Sequence, residues 1–332
     1  MPDPFGSFRW ICQHAPLPQC NLFFSQLYNS DNGFTTLFPS TSAFFNQYHV
    51  TGTATSGDNN LVLARGDAGT GVGANCEIAH VGHRGSIGDV ALIVLSALSV
   101  LVAVGLTYAA SRRKAAVGRM ELRLLLIVFG LHSVFQLLTM SSIFEQGSTA
   151  LSILSSIHLG FVAVFFWLLL GNALIATQVV EDGTPAALVP LMIIAILFFA
   201  PTLYISLDTA LSWTSAFQLS SSHFDELKSI GLFILTLIWP AVAAVGYLII
   251  MLVIVLKVLN EVKPALFYIL AFMFFAGGQV IFFLASQPLC NSSNGKINGA
   301  FLSTLLNTAS IGSIYYAWMT ITEDDWGDEL GY

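Results

Sequence analysis

The stretch GDVALIVLSALSVLVAVGLTYAASRRKAAVGR, residues 88–119, decides the fold. Residues 88–110 carry one charge, Asp89, at the very edge, and the rest is apolar or small. About 20 such residues in a helix match the hydrocarbon thickness of a bilayer. Arg112, Arg113, Lys114 and Arg119 follow at once. A basic cluster beside an apolar run marks the cytosolic side of a membrane. The stretch therefore reads as a transmembrane helix leaving the membrane into the cytosol.

Six more runs of this kind follow, at 121–142, 150–176, 186–206, 229–256, 264–286 and 298–319. Arg123 stands at the foot of the second, and Lys257 and Lys263 follow the fifth. The intervening loops on the other side hold only Lys228 and Lys296. The fold class is an all-α membrane protein, a seven-transmembrane-helix bundle with its N-terminus outside or luminal and its C-terminus cytosolic. The fifth run is longer than a bilayer requires and is expected to tilt or project. Three regions follow: residues 1–87 as a small luminal or extracellular N-terminal cap, 88–319 as the bundle, and 320–332 as an acidic cytosolic tail. Aromatic clusters in the cap are too many for a pure linker. Residues 34–64 allow a β-like reading, and 66–74 are Gly-rich. The first twenty residues show no signal-peptide run.

Composition agrees. Of 332 residues 55% are hydrophobic and only 9% charged, with a mean hydropathy of +0.75; a soluble domain carries roughly a quarter charged residues. The net charge of −7 and the lack of a basic run argue against nucleic acid as a partner.

The four cysteines, Cys12, Cys20, Cys76 and Cys290, all fall on the outer side. That side is oxidising in the secretory pathway, so two disulfides are expected. Three pairings are possible. Cys76 and Cys290 both lie close to the membrane surface, which favours that pair and leaves Cys12 to close a short loop with Cys20. Cys76, His80 and His83 have a spacing that could gather metal ligands, but no fourth ligand is near and a disulfide competes for Cys76. The histidines are expected to be solvated, and neither metal nor cofactor is expected. Asn291-Ser292-Ser293 is a glycosylation acceptor sequence, although its closeness to the membrane argues against use.

Chemistry inside a bilayer shows itself as buried charge. Every Asp, Glu, Lys and Arg here lies at or beyond the end of a run; Asp89, Glu121 and Arg123 are the nearest. His132, Gln136, His158, Asn172, Gln279 and Asn307 are the neutral polar residues within runs. They could line a pocket, but interhelical hydrogen bonding, worth about 1 kcal/mol each, is the favoured reading. Pro201 and Trp239-Pro240 suggest kinks. Ala276-Gly277-Gly278 and Gly295-x3-Gly299 would allow close helix approach. There is no H-E-x-x-H, G-x-S-x-G or Walker loop, so an enzyme is not expected. A retinal protein needs a Lys in the seventh run, which has none, and receptor signatures after the third run and within the seventh are missing.

Local strings go further than architecture. Ile11-Cys12 followed by Ala15-Pro16-Leu17-Pro18-Gln19-Cys20, then Ala116-Val117-Gly118-Arg119-Met120-Glu121, Glu181-Asp182-Gly183-Thr184, Gly278-Gln279-Val280, Cys290, and Trp318 with Thr322-Glu323-Asp324-Asp325 occur in order across nearly the whole chain. The set resembles the fungal chitin synthase export chaperones. The resemblance implies a multi-spanning endoplasmic reticulum protein that binds a chitin synthase in the membrane, prevents its aggregation and permits its export, and that travels with it to the plasma membrane. The acidic tail, with Glu323, Asp324 and Asp325, is then a candidate dock for vesicle coat proteins or for a basic surface of the synthase. Gly118, Arg119, Glu121, Glu181, Asp182, Gly183 and Thr184 are candidate partner contacts, or merely a membrane anchor and a helix-capping turn. A chaperone is expected to show a filled bundle and an exposed apolar helix face. A receptor for an outer-side ligand, the alternative, needs a deep polar pocket open outward. A small-molecule transporter, ranked third, needs a solvent path to the midplane.

Overall fold

The computed structural model describes residues 4–29, 88–113, 117–144, 146–214, 216–217 and 227–322. The β-like reading of 34–64, Cys76 with its two histidines, and the acidic tail lie outside the described residues. Among those described the chain is helical, with a single isolated antiparallel bridge between Ser7 and Lys228. Two short helices, α1 (Arg9–His14) and α2 (Pro18–Asn29), precede the long ones. These are α3 (Val90–Arg112), α4 (Arg119–Met140), α5 (Thr149–Ala176), α6 (Pro185–Leu211), α7 (Ile230–Val258), α8 (Val262–Leu284) and α10 (Gly299–Ile321). Between the last two sits the short α9 (Ser286–Ser292).

The helices begin where the sequence supplies caps for their unpaired N–H groups. Asp89 accepts from Leu92 N at the start of α3 (2.9 Å), Ser148 from Leu151 N at α5 (3.3 Å), and Asn298 from Ala300 N and Phe301 N at α10 (2.9 and 3.3 Å). Pro185 opens α6, where a missing N–H costs nothing.

Helices α3 to α8 are long and apolar enough to cross a membrane; α10, equally long, is not among them. Seven such helices were expected. The difference is the polar content of α10, and its contacts explain it. Ser310 Oγ donates to the Ala271 carbonyl of α8 (2.8 Å), Thr308 Oγ1 meets Ser99 Oγ of α3 (2.7 Å), and Gln136 Nε2 of α4 donates to Thr304 Oγ1 (2.6 Å). Hydroxyls satisfied by neighbouring helices lower hydropathy without facing lipid. Helix α10 packs most extensively on α8 and also meets α3. Gly278 of α8 lies under Leu306 and Ser303, and Gly299 fits against Ile281 and Ser286, as their small size suggests, whereas Gly277 faces open space.

Helix α5 is the centre, packed by α2, α4, α6 and α7. Two π-helical segments, Ile234–Ile238 and Ile254–Val258, interrupt α7. The first ends at Trp239-Pro240. Pro240 has no N–H for the turn before it, and the Trp239 N–H instead reaches back to the Ile234 carbonyl. The residues that suggested a kink thus mark a π-bulge. The main core joins Leu122, Leu126, Phe129, Phe166, Leu169, Tyr247, Tyr268, Ile314 and Trp318.

Candidate functional site

The motif residues of the α4 and α6 loops, together with Trp318, gather at the end of the bundle where α4 and α6 begin and α10 finishes. Gly118 and Gly183 both have left-handed backbone, with φ of +68° and +69°, a conformation that glycine adopts without a side-chain penalty. Each turns its N–H toward the other's loop. The Gly118 N–H donates to Asp182 Oδ2 (2.6 Å), and the Gly183 N–H donates to Glu121 Oε1 (2.7 Å). Two loops more than 60 residues apart in sequence thus exchange one charge-assisted hydrogen bond in each direction. Glu121 is only 1% exposed and lies in the first turn of α4, where the helix dipole favours a carboxylate. A third strand of chain joins them, because Trp318 Nε1 of α10 donates to the Val117 carbonyl (2.7 Å). Thr184 Oγ1 closes its own turn on the Glu181 carbonyl (2.7 Å). Glu181 stays exposed and Arg119 half-exposed, so those two face outward from the knot. The sequence holds the signal for this cluster only as two short strings, G-R-M-E and E-D-G-T. Nothing in either string says that they meet.

The opposite end carries the disulfide. Cys12 and Cys20 are bonded and join α1 to α2, with Pro16 and Pro18 buried between them. Phe8 and Phe23 are fully buried with Leu159 and Leu232. Asn21 Nδ2 donates to the Thr139 carbonyl (3.0 Å) and to Ser155 Oγ (3.1 Å), while Gln146 Nε2 donates to Asn21 Oδ1 (3.0 Å). Sequence reading missed Asn21 and Gln146, which lock α2 onto the ends of α4 and α5. Cys290, buried on α9, is disulfide-bonded as well, and Asn291 beside it is exposed. Asp89, 3% exposed, lies at this end too. Burial pushes its carboxyl up to about 6, against the lowering effect of the Leu92 and Ala91 N–H groups.

Between the two ends the bundle is not filled. A cavity of about 180 Å³ runs among α4, α5, α7, α8 and α10, with Leu17, Pro18 and Gln19 at the disulfide end. Aromatic and aliphatic side chains form most of its wall, together with His132, Gln136, His158, Gln279 and Asn307. Some of these do make the interhelical bonds expected of them: His132 Nδ1 meets His158 Nε2 (3.0 Å), and Gln136 reaches Thr304. Asn307 Nδ2, by contrast, reaches only Ser303 on its own helix (3.5 Å), and its Oδ1 is buried without a partner. A continuous apolar face is also exposed on α6, through Val189, Met192, Ile193, Ile196, Leu197 and Tyr204. Their i, i+3, i+4, i+7 spacing puts them on one side of the helix. Among the described residues no cluster of three His, Cys, Asp or Glu could hold a metal ion.

Comparison with known proteins finds similarity along nearly the whole chain. A family model described as chitin synthase export chaperone matches residues 4–332. A chitin synthase export chaperone of Gibberella zeae is 26% identical, the alignment covering 97% of this chain and 83% of the relative. One from Coccidioides immitis is 25% identical over the same shares, and one from Kluyveromyces lactis is 24% identical over 97% of this chain and 93% of the relative. No solved structure matches. Neither the receptor nor the transporter reading finds support among these relatives, and the chain belongs to the chitin synthase export chaperone family.

Proposed function

We propose that this chain binds a chitin synthase in the endoplasmic reticulum membrane, keeps it from aggregating and permits its export to the cell surface. The observation that carries the reading is the family match from residue 4 to residue 332, which leaves no part of the bundle outside the family. The geometry is in keeping with an escort. It offers an apolar helix face on α6 rather than charge at mid-depth. It also ties the α4 and α6 loops and the end of α10 into one rigid knot.

The topology that goes with this function has seven spans. Helix α10 crosses as the seventh, its hydroxyls turned to α3 and α8, and the Arg112–Arg123 end lies in the cytosol. The disulfide end is then luminal, Cys290 pairs with Cys76, and residues 1–87 form a luminal cap. The exposed Glu181 and half-exposed Arg119 are the contacts offered to a cytosolic surface of the synthase. Glu323, Asp324 and Asp325 form a handle for coat proteins, and the escort accompanies its client onward to the plasma membrane. Asn291, although exposed, stands too near the membrane to be glycosylated.

Co-purification tests the binding step. Chitin synthase solubilised from membranes containing this chain is expected to co-elute with it as a discrete complex. In membranes lacking it, the synthase should sediment as large aggregates. Monodisperse synthase in both preparations would remove the chaperone role.

A further inference from the structure

The cavity carries the inference. Its polar residues form a collar near the disulfide end, and their hydrogen bonds leave an excess of acceptors. Thr139 Oγ1 donates to the Phe135 carbonyl (2.8 Å), so it accepts from His158 Nδ1 (2.9 Å). With one proton per ring, His158 Nε2 then accepts from His132 Nδ1 (3.0 Å). His132 Nε2 is left as an acceptor on a residue that lines the cavity. Gln19 Oε1 and Asn307 Oδ1, both on lining residues, are buried acceptors without a donor. Gln279, also on the wall, has no hydrogen-bond partner among the described residues. A buried polar atom left unpaired is costly, and here acceptors from α2, α4 and α10 line one cavity.

Below the collar the wall is apolar, apart from Ser310, whose hydroxyl is taken up by the Ala271 carbonyl, as far as Tyr247 and Tyr268, whose rings meet edge-on at 5.9 Å. Tyr268 and Phe283, both lining residues of α8, are 15 positions apart. At 1.5 Å per residue the cavity is therefore ~22 Å long. A mostly apolar wall of that length suits one hydrocarbon chain. Among the described residues no Asp, Glu, Lys or Arg lines it, so a carboxylate or phosphate head would be buried without a counter-charge from them.

We propose that this cavity binds a neutral single-chain lipid with a hydroxyl-bearing head. The head's two hydroxyls donate to two of these acceptors, Asn307 and His132, beneath the disulfide-linked segment, and the chain runs toward Tyr247 and Tyr268. A monoacylglycerol has this chemistry, two hydroxyl donors on one chain. The site is separate from client export, and its test needs no synthase.

The full-length protein in nanodiscs is exposed to a monoacylglycerol carrying a diazirine in its chain, then irradiated. Parallel samples receive diazirine-bearing fatty acid and diazirine-bearing sterol. Saturable labelling of peptides around Phe272 and Phe275 is expected from the monoacylglycerol alone, competed by the unlabelled lipid. Ala244→Phe, which fills the cavity, should abolish it. Asn307→Leu, which keeps the branched skeleton and removes the acceptor, should weaken it about tenfold. Should Ala244→Phe fail to fold, Asn307→Leu and the wild-type competition decide. Unsaturable labelling, equal labelling by the fatty acid or sterol, or labels confined to the lipid-facing side of α6 would overturn the proposal. So would labelling that Asn307→Leu leaves unchanged, since water alone would then serve the collar.

Discussion

Trp318, in the last turns of α10, donates its indole N–H to the carbonyl of Val117, 201 residues upstream, at 2.7 Å. The indole is 8% exposed and stacks obliquely on Tyr315 (5.8 Å). One bond thus ties the end of the bundle to the loop that opens α4. Trp318→Phe keeps an aromatic ring and removes the donor. It should cost about 1–2 kcal/mol, read as a lower melting temperature of the detergent-purified protein. Amide exchange should quicken at 117–121 while α5 stays protected.

The paired glycines make a sharper test of the same knot. A Cβ at Gly183 would come no nearer than 3.9 Å to Met120, and one at Gly118 no nearer than 3.9 Å to Trp318. Space is therefore not the constraint; backbone conformation is. Gly183→Ala should destabilise by about 1–2 kcal/mol. Gly183→Asn, a residue that tolerates left-handed backbone, should lose roughly half as much. Equal losses in thermal melts would show that side-chain bulk matters and the φ of +69° does not.

Asp89 gives the fold a pH dependence. Its Oδ1 caps α3 through Leu92 N, while Oδ2 is buried without a partner. Burial raises its carboxyl from 3.8 to about 6, so the folded state holds this proton more tightly than the unfolded chain does. The stabilising effect of protonation is full below 3.8 and is lost as pH rises through about 6. Asp89→Asn keeps a capping oxygen and has no proton to lose. It should stabilise the protein by on the order of 2 kcal/mol at neutral pH and flatten the melting curve series between pH 4 and 7. A wild-type series already flat across that range would contradict the assignment.

The Cys12–Cys20 bond closes a short loop, with a separation of 8. Chain-entropy arguments give such a bridge about 2–3 kcal/mol. The Cys12→Ser/Cys20→Ser double variant should lose that amount, and limited proteolysis should cut first within α1 and α2. The Asn21 bonds to Thr139 and Ser155 hold α2 from the other side. Asn21→Leu in the double variant should therefore release α2 altogether.

The long helices were legible because hydropathy is local: the expected runs at 88–110 and 150–176 became Val90–Arg112 and Thr149–Ala176. Helix α10 was legible as a helix, but its hydroxyls hide their partners on other helices, so its apolarity understates its burial. Trp239-Pro240 announced a departure from regular helix and could not say that a π-bulge would absorb it. The knot of Glu121, Asp182, Gly118 and Gly183 was visible only as two strings, because a hydrogen bond across 62 or 64 residues leaves no periodicity to read. The cavity was the largest difference. A lone polar residue such as Asn307 looks the same in sequence whether it faces a partner helix or empty space. The favoured expectation of interhelical bonding held for Gln136 and for the His132–His158 pair, but not for Asn307, whose bond stays within α10, nor for Gln279, which has no partner among the described residues.

The most direct test of export control is deletion of the gene in its source organism, with each chitin synthase tagged and imaged. The account predicts that one synthase stays in the endoplasmic reticulum, that wall chitin falls, and that restoring this chain returns the synthase to the surface. Every synthase reaching the surface at its normal level, in a strain also lacking any paralogue, would contradict it.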